Sequence, residues 1–104
     1  MKSYQLTTDA EQDIDIIKIH LLGQGGPPLV RHVLGKIQAS FELLGNMPGV
    51  GHSRKDLTEE PVKFWQVFSY FVIYDPAPRP IHITRVLHTR RDLEALFRKN
   101  PPRV

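Results

Sequence analysis

Residues 23–28 contain three glycines and two prolines, and this segment limits the folds that the chain can adopt. Glycine tolerates backbone conformations outside the helix, and proline lacks the N–H that a helix interior needs. Apolar residues recur at helical spacing on both sides, at Ala10, Ile14, Ile17 and Leu21 before the segment and at Val30, Leu34, Ile37, Phe41 and Leu44 after it. The pattern predicts two helices, over residues 9–22 and 28–45, that form an antiparallel hairpin around a six-residue loop.

A short strand is predicted ahead of the first helix. Tyr4 and Leu6 alternate with polar residues there, and Thr8 or Asp9 is expected to cap the helix that follows. Three carboxylates lie in the first turns of this helix, where they oppose the positive end of its dipole: Glu11, Asp13 and Asp15.

After residue 61 the apolar residues become β-branched and aromatic, which is typical of strands. Strands are predicted over 62–68, 70–75 and 81–87, and a short helix over 90–98. In the last strand, alternation places Arg85 on an otherwise apolar face, a conflict that is typical of functional sites and of buried ion pairs. Residues 1–104 are therefore predicted to form one α+β domain, with an N-terminal strand, a helical hairpin on a mostly antiparallel sheet, and a short C-terminal helix.

Composition excludes several classes of site. The chain of 104 residues has no cysteine, so disulfides and cysteine-ligated metals are excluded. The five histidines form no His-x-x-x-His pair, no serine lies in a Gly-x-Ser-x-Gly motif, and we expect neither a metal nor a cofactor. The N-terminus lacks the apolar segment of a signal peptide, and no apolar run is long enough for a membrane span. We therefore expect a cytoplasmic protein without a membrane partner.

Charge is unevenly distributed along the chain. Residues 1–60 carry a net charge of −2 and residues 61–104 a net charge of +5, which predicts an anionic partner. The candidate basic side chains are Arg54, Lys55, Lys63, Arg85, His88, Arg90 and Arg91. Such a set can bind a phosphate or an acidic protein surface, and it can also cleave RNA, because RNA supplies its own 2′-hydroxyl nucleophile. Spacing alone does not distinguish these functions.

Three segments resemble the RelE/ParE toxin superfamily. They are residues 48–57 (PGVGHSRKDL), residues 64–74 with their Tyr-x-x-x-Tyr spacing, and residues 81–93 (IHITRVLHTRRDL). The last is similar to the Ile-x-Arg-Val-Leu-His-x-x-Arg-Asp ending of ParE-like toxins, and the predicted element order matches along nearly the whole chain. The resemblance implies the toxin of a bacterial type II toxin–antitoxin pair, such as those that stabilise plasmids.

Two activities occur within that superfamily. RelE-like members cleave mRNA on the ribosome with a basic cluster and usually a C-terminal tyrosine, whereas ParE-like members inhibit DNA gyrase. No tyrosine follows Tyr74 in this chain, and Leu96 and Phe97 occupy the predicted C-terminal helix. The resemblance therefore favours a ParE-like gyrase inhibitor that needs no catalytic residues and is neutralised by a DNA-binding, ParD-like antitoxin.

The residues expected to contact the target or the antitoxin are Arg54, Arg85, Arg90, Arg91 and Phe97. One alternative is a metal-independent mRNA endoribonuclease that acts on the ribosome through Arg54, Lys55, Arg85, Arg90 and His88, with His88 as a proton shuttle. The other alternative is an inactive relic that binds only its antitoxin.

Overall fold

The structure, a computed structural model, describes residues 2–92. Its elements are, in chain order, β1 (Tyr4–Leu6), α1 (Thr8–Asn46), β2 (Lys63–Val67), β3 (Tyr70–Asp75) and β4 (Ile81–His88). The four strands form one sheet in the order β1-β4-β3-β2, in which β1 is parallel to β4 and the other neighbours are antiparallel. The predicted α+β class, the N-terminal strand and the mostly antiparallel sheet are confirmed. The helix predicted over 90–98 lies outside the described residues beyond position 92.

The six-residue loop predicted over residues 23–28 is reduced to a break at Gly26. Helical residues continue on both sides of it, and Gly26 is the one residue of α1 with non-helical backbone angles, at φ 70° and ψ −167°. The antiparallel packing of the two helical segments stays a prediction. Pro27 and Pro28 follow this break directly, so their missing N–H groups fall in a first helical turn, where no intrahelical partner is needed. The break bends α1, because a straight helix of 39 residues would be about 58 Å long and the longest dimension of the protein is 42 Å.

Helix α1 packs on one face of the sheet. Both halves of the helix contribute to one core cluster, and the carboxyl-terminal half ends with Gly45 directly against Ser3, just before β1. The cap of α1 differs from the prediction, because Thr7 rather than Thr8 or Asp9 accepts the backbone N–H of Ala10, at 3.1 Å. The Thr7 hydroxyl also donates to the carbonyl of Thr84 at 2.9 Å, which ties the start of α1 to β4.

The predicted alternation along β4 is correct only as far as Ile83. Tyr74 pairs with Ile83 and Ile73 pairs with Arg85, so Thr84 is an extra residue on β4. This bulge reverses the alternation: Ile81, Ile83 and Val86 join the core under α1, whereas Leu87 joins a second cluster with Phe64 and Ile73. Arg85 therefore does not continue the apolar row of Ile81 and Ile83.

Candidate functional site

Arg85 and Asp13 form a paired site at the edge of the sheet. The Nε and Nη2 atoms of Arg85 donate to the two carboxylate oxygens of Asp13 at 2.7 and 3.0 Å. Asp13 also accepts the backbone N–H of Val86 at 2.9 Å, beyond the point where β1 ends its pairing with β4. The Asp13 side chain is 9% exposed and that of Arg85 is 41% exposed. The sequence predicted either a functional site or a buried ion pair at Arg85, and the structure shows an ion pair.

Charge and hydrogen bonding act together in this pair. The hydrogen bonds that Arg85 donates to Asp13 raise the pKa of the Arg85 guanidinium, against the opposing effect of partial burial. Sequence analysis assigned Asp13 to the helix dipole and missed this partner. The signal was present, since Asp13 falls on the buried stripe of α1 between Ala10 and Ile17.

The backbone after β4 forms a tight turn around His88. The Nδ1 atom of His88 accepts the backbone N–H of Arg90 at 3.2 Å and that of Arg91 at 3.1 Å. In return, the N–H of His88 donates to Asp92 at 2.6 Å, and the N–H of Thr89 donates to the carbonyl of Ser69 at 2.8 Å. Four successive N–H groups are thereby bonded, so the turn has a defined backbone.

The turn presents two adjacent arginines to solvent. Arg90 and Arg91 are both exposed, and within residues 2–92 neither forms a salt bridge. Phe97, which was predicted to contribute to the same surface, lies outside the described residues. The structure therefore provides a pair of solvent-exposed cations on an ordered turn, suited to an acidic protein surface or a phosphate.

Arg54 lies on the opposite face of the sheet from α1. Its guanidinium makes two hydrogen bonds to Asp56, at 2.8 and 3.0 Å, and lies 5.6 Å from the ring centre of Phe71. Hydrogen bonding to Asp56 raises the pKa of Arg54, and the same bonds lower the pKa of Asp56. The neighbouring Lys55 is exposed.

An open groove of about 370 Å³ adjoins Arg54. His52 stacks on Trp65 at one side, with 6.4 Å between ring centres, and Phe64 and Phe71 meet edge to face. Sequence analysis did not identify this groove, because it is assembled from the loop before β2 and from two strands. Its lining residues are His52, Arg54, Phe64, Trp65, Gln66 and Phe71.

The basic residues proposed for RNA cleavage are divided between separate places. Arg54 lies over Phe71 beside the groove, Arg85 is bonded to Asp13 on α1, and His88 contacts the ring of Tyr70 edge to face at 5.6 Å. Tyr70 belongs to the core under α1, whereas Phe71 packs on the second cluster. The structure brings together His88, Arg90 and Arg91 and separates them from Arg54.

Among residues 2–92, no group of three or more His, Asp or Glu side chains is arranged to hold a metal ion. In the same range, no helix is long and apolar enough to cross a membrane.

Comparison with known proteins decides the family. The sequence profile of the family described as "ParE toxin of type II toxin-antitoxin system, parDE" matches residues 4–93. The chain belongs to the ParE toxin family. This confirms the superfamily resemblance, narrows it to ParE, and makes the protein a ParE-type toxin of a type II toxin–antitoxin system.

A solved structure shows the same fold. It is described as "Chromosomal ParDE TA system from P. aeruginosa", is 22% identical in sequence, and superposes with a TM-score of 0.71 over 86% of this chain and 98% of the other. No curated protein matches the sequence. With the family established, the Arg-Val-Leu-His segment of this ParE chain has a physical explanation: Arg85 and Val86 bind Asp13, and His88 orders the turn.

Proposed function

We propose that this ParE-type toxin inhibits DNA gyrase and that the exposed Arg90–Arg91 pair contacts its protein target. Family membership supports the choice of gyrase. The arginine pair supports the contact surface, since its two side chains are exposed while the backbone between them is held by His88. Gyrase inhibition by binding requires a surface, not a nucleophile or a metal, and the expected site of action is the cytoplasm.

The observation that carries this proposal is that three of the five candidate nuclease residues already have bonded side chains within the fold. The side chains of the other two, Lys55 and Arg90, are exposed. Arg85 is held by Asp13, and Arg54 is held by Asp56. Because Nδ1 of His88 accepts two backbone N–H groups, the neutral imidazole carries its proton on Nε2. His88 then has no unprotonated ring nitrogen available to take a proton from a 2′-hydroxyl.

A ribosome-dependent endoribonuclease is the second candidate. The groove beside Arg54 favours it, because a cation next to Trp65 and Phe71 is suited to stacking a base and binding its phosphate. Against it, no tyrosine follows Tyr74, so the chain lacks the C-terminal tyrosine that RelE-like members usually carry. A relic that binds only an antitoxin remains the third candidate and predicts neither activity.

The gyrase proposal predicts the effect of charge reversal. The double variant Arg90→Glu, Arg91→Glu should lose inhibition of gyrase-catalysed supercoiling, because it replaces two cations of the contact by two anions. The matched control is Arg31→Glu, Lys36→Glu, which reverses two exposed charges on α1 and changes the net charge equally. Both variants should keep the wild-type circular dichroism spectrum, since exposed charges contribute little to stability. Equal inhibition by the two variants would exclude Arg90 and Arg91 as the contact.

We further propose that an antitoxin neutralises this chain through an acidic segment that folds on binding. Its carboxylates are expected at Arg90 and Arg91 rather than at Arg85, whose guanidinium is already bonded to Asp13. The product of an adjacent small gene should co-purify with the toxin and relieve growth arrest on co-expression. Its affinity should fall with added salt and should fall further in Arg90→Glu, Arg91→Glu. An affinity indifferent to both changes would refute this acidic contact.

A further inference from the structure

The turn after β4 has the bonding pattern of a helix capping box, with an unusual capping residue. In such a box, a side-chain oxygen of the N-cap residue accepts an N–H from the first turn, and a carboxylate from that turn accepts the N–H of the N-cap residue. Here Nδ1 of His88 takes the first role and Asp92 takes the second. Serine and threonine, the usual capping residues, do not titrate near neutral pH, but histidine does.

We propose that neutral His88 is the positioning residue for the Arg90–Arg91 pair, and that protonation of its imidazole releases the pair from its ordered backbone. Both N–H groups bonded to Nδ1 belong to the two arginines themselves. A protonated imidazole donates at both nitrogens and accepts at neither. Protonation therefore breaks both bonds at once and places a third positive charge beside the two arginines. The functional consequence, though not the switch itself, rests on the gyrase proposal.

The surroundings of His88 fix the direction of its titration. Partial burial is the largest influence and lowers the pKa of His88, and the cation of Arg91 lowers it further. His20 from α1 and Arg90 also lower this pKa, whereas Asp92 raises it. From β3, the facing titratable group is Tyr70, whose own pKa is raised by burial. The net effect keeps His88 neutral, and the cap intact, at neutral pH.

The sign of the pH effect follows from linkage. Because the pKa of His88 is lower in the folded protein, the unfolded chain binds the proton more readily. The cap therefore contributes its full stability above the ordinary histidine pKa of about 6.5. The contribution is lost as the pH falls through the lower pKa of the folded state.

Two substitutions at His88 distinguish its role as a hydrogen-bond acceptor from its role as an aromatic ring. His88→Asn keeps a side-chain acceptor that caps helices well and does not titrate. His88→Phe keeps an aromatic ring against Tyr70 but has no acceptor. Measured in the full-length chain by NMR hydrogen exchange, the protection factors of the Arg90 and Arg91 amides should fall about tenfold in His88→Phe and be retained in His88→Asn.

The pH series supplies the second readout. In the wild type, protection of the two arginine amides should fall as the pH is lowered through the titration of the His88 ring, which NMR follows directly. In His88→Asn it should not change over the same pH range. In His20→Asn, which removes a neighbouring imidazole that lowers the pKa of His88, the fall in protection should persist and shift to higher pH. Protection that is unaffected by His88→Phe, or that still follows pH in His88→Asn, would overturn the proposal.

The same variants connect the switch to function. Gyrase inhibition should weaken with the loss of amide protection in His88→Phe and be restored in His88→Asn. If the wild type does not inhibit gyrase at all, the proposed function fails, while the exchange data still decide whether His88 positions the arginines. Inhibition in His88→Phe equal to the wild type, with protection lost, would refute the functional role of the ordered turn.

Discussion

Asp13 joins the first turns of α1 to the unpaired edge of β4. It accepts the N–H of Val86 and two N–H groups of Arg85 while its side chain is only 9% exposed. A buried carboxylate is costly unless its oxygens are bonded, and here both oxygens are. The pair is best understood as part of the fold. Among the arginines expected to contact a partner, Arg90 and Arg91 are the two that form no salt bridge within residues 2–92.

Replacing Asp13 by asparagine tests this role. Asp13→Asn removes the charge and replaces one acceptor oxygen by a donor, so the bonds to Arg85 and Val86 cannot all be kept. We expect a loss of about 1–3 kcal/mol in the free energy of unfolding, at the lower end because Arg85 remains half-solvated. The matched control Asp15→Asn, on the exposed face of the same helix, should be nearly neutral. Equal urea midpoints for the two variants would show that the pair contributes nothing.

At the scale of elements, Gly26 determines the shape of α1. Its φ of 70° with ψ of −167° lies in a region essentially restricted to glycine, and both halves of α1 reach the same core only because the helix bends there. Gly23 and Gly25 have helical backbone angles and no such requirement, although a Cβ atom added to Gly25 would lie 2.9 Å from Cδ2 of Leu29. Gly23 lies within the helix, and a Cβ atom added to it would meet no atom within 4 Å.

Two alanine substitutions should therefore have opposite signs. Gly26→Ala forces an L-residue into the strained conformation and should destabilise the protein by about 1–3 kcal/mol. Gly23→Ala improves helix propensity at an open, exposed position and should stabilise it by about 0.5–1 kcal/mol. Thermal unfolding of the pair checks both. Stabilisation by both substitutions would mean that the bend does not depend on the backbone angles of Gly26.

The sequence predicts those elements whose signal is local. The β-branched and aromatic pattern placed β3 correctly over 70–75 and the ends of β2 and β4 to within one residue. The length of the break between the two helical segments was overestimated, because glycine and proline mark a break without fixing its length: only Gly26 leaves the helix, and Pro27 and Pro28 begin the next helical turn. The choice of Thr7 as cap was missed as well, since it depends on a carbonyl of β4 far along the chain.

The candidate site was predictable only in part. The predicted position of Arg85 left a functional site and a buried ion pair open, and of these the structure shows an ion pair, although the bulge takes Arg85 off the apolar row. An acidic residue on the buried stripe of α1 could have indicated Asp13 as its partner. The bulge at Thr84 depends on the register between β3 and β4, which no single segment encodes. The capping role of His88 depends on the turn itself, and the groove beside Arg54 on three separate segments.

At the scale of the whole molecule, two carboxylates of the acidic residues 1–60 pair with arginines. Asp13 neutralises Arg85 from the basic residues 61–104, and Asp56 neutralises Arg54. The exposed pair Arg90–Arg91 keeps its charge on an ordered turn. This arrangement is suited to binding an acidic protein surface. Within residues 2–92, Arg54 and Arg85, two of the cations proposed for RNA cleavage, are bonded to carboxylates.

The central claim is that this ParE-type toxin acts on gyrase and not on messenger RNA. The most direct measurement applies one preparation of the purified protein to two assays, ATP-dependent supercoiling of relaxed plasmid by DNA gyrase and cleavage of a message in a translating extract. We expect supercoiling to be inhibited in proportion to toxin concentration while the message stays intact. Message cut at the ribosomal A site, with supercoiling unchanged, would contradict the account.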